Sequence, residues 1–98
     1  MFSKIKNILV TGGAGYIGSH IVETLIKKNL NIYILDNLIT GSKKLIDKKS
    51  IFIEGDIGNT KKVNEIIRSN KIDTIIHLAA YLNVTKAEIN KKHIKKII

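Results

Sequence analysis

At 98 residues with a formal charge of +9, the chain is long enough for one small domain and too short for a two-domain enzyme. Its 44% hydrophobic and 26% charged residues are globular composition, the 5% aromatics leave the core to aliphatic side chains, and the absence of cysteine excludes a disulfide framework, a thiolate metal site and a cysteine nucleophile. Apolar runs fall far below the ~20 residues of a membrane helix, and Met1–Asn7 is a basic lead without a signal-type apolar region, so a soluble, cytoplasmic protein without a membrane partner is expected.

The charge has a bland account. Sixteen of the 17 cations are lysine, and lysine together with 21 Ile and 9 Asn makes up nearly half the chain, the mark of a coding bias. Lysine lacks the planar fork that reads bases and phosphates, and the pairs Lys27/Lys28, Lys43/Lys44, Lys48/Lys49 and Lys61/Lys62 have no aromatic platform between them. Nucleic acid is therefore not an expected partner.

Ile5–Val10 is a β-branched run ending in glycines, as a buried parallel strand does. From Tyr16 to Asn29, Ile17, Ile21, Val22, Leu25 and Ile26 recur at helical spacing, with Ser19, His20, Glu23, Lys27 and Lys28 opposite. Ile32–Leu35 is a second strand stopped by Asp36 and Asn37, Thr40–Lys44 a loop, and Ile51–Glu54 a third strand ending at Gly55. Lys61–Asn70 carries Val63, Ile66 and Ile67 at helical spacing, and Asp73–Leu78 is a fourth strand leading into Ala79 and Ala80. Past Tyr81, the spacing of Val84, Ala87, Lys91, Ile94 and Ile98 suggests a final basic helix. The order β-α-β-β-α-β, with strands too apolar for a wet face, predicts an α/β chain: a partial Rossmann fold, a doubly wound parallel sheet of about four strands in the order 3-2-1-4 with flanking helices.

Between the first strand and the first helix stands Thr11-Gly12-Gly13-Ala14-Gly15-Tyr16-Ile17-Gly18. In such a loop the first glycine permits a tight turn, the middle one lets main chain approach a pyrophosphate, and the last lets helix and strand pack closely. A helix starting there aims free N–H groups and its dipole at an anion. The competing reading is an ordinary strand-to-helix turn, but Asp36 follows at the end of the second strand, the context that turns a glycine pattern into a dinucleotide fingerprint. A carboxylate there accepts ribose hydroxyls and repels a 2′-phosphate, favouring NAD over NADP; Lys43 and Lys44 nearby argue the other way, and Asp36 also suits turn capping.

On the segments Val10–His20 (VTGGAGYIGSH), Leu35–Lys44 (LDNLITGSKK), Phe52–Ile57 (FIEGDI) and Ile72–Ala80 (IDTIIHLAA), the chain resembles the extended short-chain dehydrogenase/reductase family of NAD-dependent epimerases and dehydratases, and most nearly its nucleotide-sugar 4-epimerases. Dehydratases and decarboxylases of nucleotide sugars share parts of these segments. The resemblance covers roughly residues 5 to 82 and implies NAD as cofactor, with a UDP-sugar as substrate of a complete enzyme. It implies that Gly12, Gly15, Tyr16, Ile17 and Gly18 hold the pyrophosphate, that Asp36, Asn37, Leu38, Thr40 and Gly41 surround the adenosine ribose, and that Asp56 and Ile57 contact the adenine. Leu78, Ala79, Ala80, Tyr81 and Leu82 would line the nicotinamide side. Blander readings stand beside these: Asp56 as a turn cap, Tyr16 and Tyr81 as packing aromatics, and His77 as a satisfied core histidine.

In such epimerases a tyrosine of a Tyr-x-x-x-Lys pair deprotonates the sugar C4 hydroxyl while NAD takes the hydride, and the 4-keto sugar turns and receives it on the other face. Tyrosine occurs here at 16, 33 and 81 only, followed four residues on by His20, Asn37 and Thr85, so that pair is missing. The expectation is an NAD-binding half-domain over residues 1–82, inactive alone, with a divergent lysine-rich tail over 83–98 that lacks the family's Gly-Glu-Ser and proline features, as in a truncated or frame-shifted copy. The alternative is a non-catalytic nucleotide-binding module that self-associates or pairs with a partner through a bare fourth-strand edge at Ile75 and Ile76.

Overall fold

The aliphatic runs become strands of one parallel sheet in the computed structural model, which describes residues 5–39 and 41–78 and, as backbone, 96–97. The elements are β1 (Asn7–Thr11), α1 (Tyr16–Ile26), β2 (Asn31–Asp36), a 3-10 turn (Lys43–Leu45), β3 (Ile51–Glu54), α2 (Thr60–Ser69), β4 (Thr74–His77) and β5 (Lys96–Ile97). The sheet runs β3-β2-β1-β4-β5 with every pairing parallel, so the expected 3-2-1-4 order is present with a two-residue strand added beside β4. No helix among the described residues is long and apolar enough to cross a membrane.

Successive side chains of a strand point to opposite faces, and here both faces are covered. Leu9, Leu35 and Ile75 join Val63, Ile66 and Ile67 of α2 in one cluster; Ile8, Val10, Ile32 and Ile34 join Val22 of α1 in the other. Leu9, Val10, Val22, Ile34 and Ile75 are fully buried, and burying such a side chain stabilises by about 1.5–3 kcal/mol.

The helices are shorter or shifted relative to their periodic patterns. α1 stops at Ile26 rather than Asn29 because Asn29 turns into the left-handed region (φ 61°), with its N–H and that of Lys28 donating back to Ile26 and Leu25. α2 starts at Thr60 because Asn59 caps it, its Oδ1 accepting the Lys62 N–H at 3.1 Å. The final helix expected past Tyr81 lies mostly outside the described residues, as does the boundary at Leu82; at Lys96–Ile97 the chain is strand, not helix. The fourth-strand edge is not bare at Ile75, since Lys96 and Ile97 pair with Thr74 and Ile75; that pairing does not reach Ile76.

At the amino end of the sheet, Asp73 Oδ2 accepts the N–H groups of Lys6 and Asn7 at 3.0 and 3.1 Å, and Asp73 N–H donates to the Asn7 carbonyl at 3.0 Å. Asn31 Nδ2 donates to Asn7 Oδ1 at 2.8 Å, extending the staple to β2. Charged acceptors make the stronger hydrogen bonds, and removing this one leaves two main-chain donors without their partner. Asp73→Ala is expected to destabilise the chain by about 2 kcal/mol, read as a lower urea midpoint at unchanged slope; a midpoint at the wild-type value would show the staple to be dispensable.

Candidate cofactor-binding site

The glycine loop closes on itself at two contacts. Gly12 takes a positive φ of 79°, its N–H donates to the Leu35 carbonyl at 2.9 Å, and its carbonyl accepts the Gly15 N–H at 3.2 Å. A Cβ on Gly18 would stand 2.4 Å from the Gly12 oxygen and 2.9 Å from the Gly13 Cα, so helix and loop meet there main chain to main chain. Gly15 differs: a Cβ there would meet only the Gly12 oxygen, at an ordinary 3.4 Å, leaving its outer side open. Gly15 is the N-cap of α1 and no side chain caps the helix, so the first-turn donors have no side-chain competitor for a ligand anion.

Asp36 stands beside this loop, 9% exposed. Its Oδ2 accepts the Ala14 N–H at 3.0 Å and its Oδ1 the Leu38 N–H at 2.8 Å. Two amides on two oxygens orient the carboxylate and leave each oxygen one further acceptor site for a ribose hydroxyl. Leu38 is held in the left-handed region (φ 63°), and Asn37 Oδ1 accepts the Ile39 N–H at 3.0 Å, which shapes the loop after β2. A Cβ on Gly41 would lie 3.0 Å from Ala14 and from Asp36 Oδ2, so Gly41 serves by close approach.

The other expected positions divide. Tyr16 and Ile17 are 73% and 68% exposed at the start of α1, and the Tyr16 ring makes an edge contact with His20 at 4.8 Å rather than entering the core. Asp56 is exposed and caps its own turn, its Oδ1 accepting the Gly58 N–H at 2.8 Å. The Ile57 side chain belongs to the α2-face core, so only its main chain is left to meet a base. Leu78 sits at the end of β4, tied to the Thr11 carbonyl through its N–H at 2.9 Å. Thr40, Ala79, Ala80, Tyr81 and Leu82 lie outside the described residues. Lys43 and Lys44, the cations that argued for a 2′-phosphate, are on the 3-10 turn at the surface.

Three features escaped the motif reading. The Ala14 N–H has no side-chain signature. Lys62 lies across Gly55 to donate to the Glu54 carbonyl at 2.6 Å. His77 Nδ1 is 2.7 Å from Thr11 Oγ1, joining β1 to β4 where both approach the crevice. Thr11 Oγ1 also accepts the Leu78 N–H at 3.3 Å, so the hydroxyl ties both His77 and the residue after it to β1. Nε2 is buried with no partner among the described residues, so the histidine is satisfied at one nitrogen only.

Burial pushes the His77 imidazole below its ordinary value of 6.5. A histidine depressed in the folded state binds its proton first in the unfolded chain. Its contribution to stability is complete above 6.5 and is lost as pH falls from there through the folded value, below which the curve levels. Urea denaturation across that interval should show stability falling with acidity, and His77→Gln should flatten the fall; parallel curves for the two proteins would refute the assignment.

The chain matches the NAD dependent epimerase/dehydratase family over residues 8–95, past Leu82. It is 50% identical over 74 residues to a UDP-glucose 4-epimerase of Lactobacillus helveticus, covering 76% of this chain and 22% of that protein. It is 48% identical over 83 residues to a putative UDP-glucose 4-epimerase of Methanocaldococcus jannaschii, covering 85% and 27%. Among solved structures, the UDP-glucose 4-epimerase of Thermotoga maritima with UDP-glucose superposes with a TM-score of 0.74 at 37% identity, over 81% of this chain and 26% of that one. The Thermus thermophilus UDP-glucose 4-epimerase complex with NAD gives 0.72 at 40% identity, over 80% and 25%. The chain thus spans about a quarter of the length of these relatives. With its glycine loop, its acidic second-strand end and its 3-2-1-4 sheet, it belongs to the NAD-dependent epimerase/dehydratase family.

Proposed function

We propose that the chain is the NAD-binding portion of a UDP-glucose 4-epimerase, serving the interconversion of UDP-glucose and UDP-galactose in galactose metabolism. The observation that carries this reading is the cradle itself: Gly18 seals the loop against Gly12, Gly15 leaves its ligand side open, and Asp36 lies alongside with acceptor sites to spare. Identity of 50% to one epimerase and 40% to a structure described as a complex with NAD supports the choice of enzyme and cofactor.

In this reading Gly12, Gly15 and Gly18, with the main chain of Tyr16 and Ile17, hold the pyrophosphate. Asp36 takes the adenosine ribose with Asn37, Leu38, Thr40 and Gly41; Asp56 and the Ile57 main chain meet the adenine, and residues 78–82 line the nicotinamide side. Bound NAD supplies the hydride acceptor and donor for chemistry at the sugar C4. The chain's own residues bind and orient; the tyrosine base is absent from these 98 residues, so the chain alone is read as catalytically incomplete. In the same reading residues 1–82 are the cofactor-binding unit, residues 83–98 a lysine-rich tail into which the family match still extends as far as residue 95, and the cytosol the compartment that fits a cysteine-free chain.

Calorimetric titration of NAD into the purified chain should give weak, saturable binding. Gly15→Val should lower affinity at least about a hundredfold with an unchanged circular dichroism spectrum, because the added atoms fill the ligand side and not the protein. No heat from the wild-type chain would overturn the cofactor reading; turnover of UDP-galactose by the chain alone would overturn its catalytic incompleteness.

A further inference from the structure

Asp36 stands where three loops meet. Its Oδ2 holds the Ala14 N–H of the glycine loop at 3.0 Å, its Oδ1 holds the Leu38 N–H of the loop after β2 at 2.8 Å, and its carbonyl accepts the Gly55 N–H after β3 at 3.1 Å. The loop after β2 also folds back onto the same spot: Ser42 N–H donates to the Ala14 carbonyl at 3.0 Å, and Gly41 passes within reach of both Ala14 and Asp36. Ala14 is fully buried between two glycines. Its N–H therefore has no access to water if the carboxylate is taken away, and the two glycines beside it offer little backbone stiffness of their own.

We propose that Asp36 is a positioning residue as well as a ribose acceptor: it latches the glycine loop, through Ala14, into the conformation that receives the cofactor. Both amides are bonded to the carboxylate, one on each oxygen. Resting on the NAD reading above, a consequence for specificity follows. A neutral residue at 36 removes the repulsion of a 2′-phosphate but also takes the acceptor from at least one of the two latched amides, so that substitution alone weakens NAD binding without conferring NADP binding.

The test is amide hydrogen exchange by NMR on the cofactor-free chain, with calorimetric titration of NAD and NADP, for wild type, Asp36→Asn and Asp36→Ala. Asp36→Asn keeps the size of the side chain and one acceptor oxygen, so it carries the test even if Asp36→Ala fails to fold. Expected are exchange at least about tenfold faster at Ala14 or Leu38 in Asp36→Asn, unchanged exchange at Leu9 and Ile75 in the core, weaker NAD binding, and no gain of NADP. Wild-type exchange at both Ala14 and Leu38 in Asp36→Asn, or tight NADP binding by that variant, would overturn the latch and leave the NAD reading standing. Loosened amides in a chain whose wild type takes up no dinucleotide would uphold the latch and remove the NAD reading.

Discussion

The main chain at Gly18 passes so close to Gly12 that a Cβ there would stand 2.4 Å from the Gly12 carbonyl oxygen, and the carboxyl end of the sheet is organised around that contact. It lets α1 begin within a few residues of β1 and lie flat enough for Val22 to reach Val10 and Ile34. The same turn leaves the first turn of the helix without a side-chain cap, its N–H groups free for an anion in the proposed reading. The positive φ of Gly12 and the tight space around Gly18 thus serve packing and, in the proposed reading, ligand binding with one piece of geometry.

The parallel register carries that geometry across the sheet. Leu9 lies opposite Tyr33 on one side and opposite Ile75 on the other, so the β1 parity sets which residues of β2 and β4 enter each core. Thr11 and His77 are the next registered pair on the α2 face after Leu9 and Ile75, and there the apolar core gives way to a hydrogen bond. The polar pair falls at the strand ends where the crevice opens, and the Leu78 N–H bonded to Thr11 binds the last residue of that edge to the base of the glycine loop. Packing and site are in this sense consecutive steps along the same two strands.

What could be read in the sequence follows from this. Glycines at 12, 15 and 18 and an acid at 36 are legible because each position demands a residue type at a fixed distance from a strand or helix boundary. The parallel, doubly covered sheet was legible because apolar runs without a wet face require cover on both sides. The Ala14 contribution was not, because it is made by an N–H that every residue but proline possesses. Ile57 was not separable from a ligand contact, since periodicity places a side chain but says nothing of which main-chain groups remain exposed. The bare edge inferred at Ile75 failed because two residues some twenty positions downstream return to pair with β4, a non-local contact with no local signal.

The charge also finds its place in this arrangement. In the proposed reading the groups of the cradle that would face a pyrophosphate are main-chain amides and a helix end equivalent to roughly half a positive charge, and the nearest side chain with a firm role is a carboxylate, Asp36. The described lysine pairs stand at the end of α1, on the 3-10 turn and in the loop after it, and at the start of α2. Of these, Lys62 is committed to the Glu54 carbonyl. A ligand held by oriented neutral donors is selected by shape and donor direction, whereas scattered lysines add only a long-range attraction that salt screens within about 10 Å. The excess of +9 is therefore separable from the proposed recognition: in that reading the glycine loop needs no lysine to hold a diphosphate, and the lysines without the loop would select no particular one.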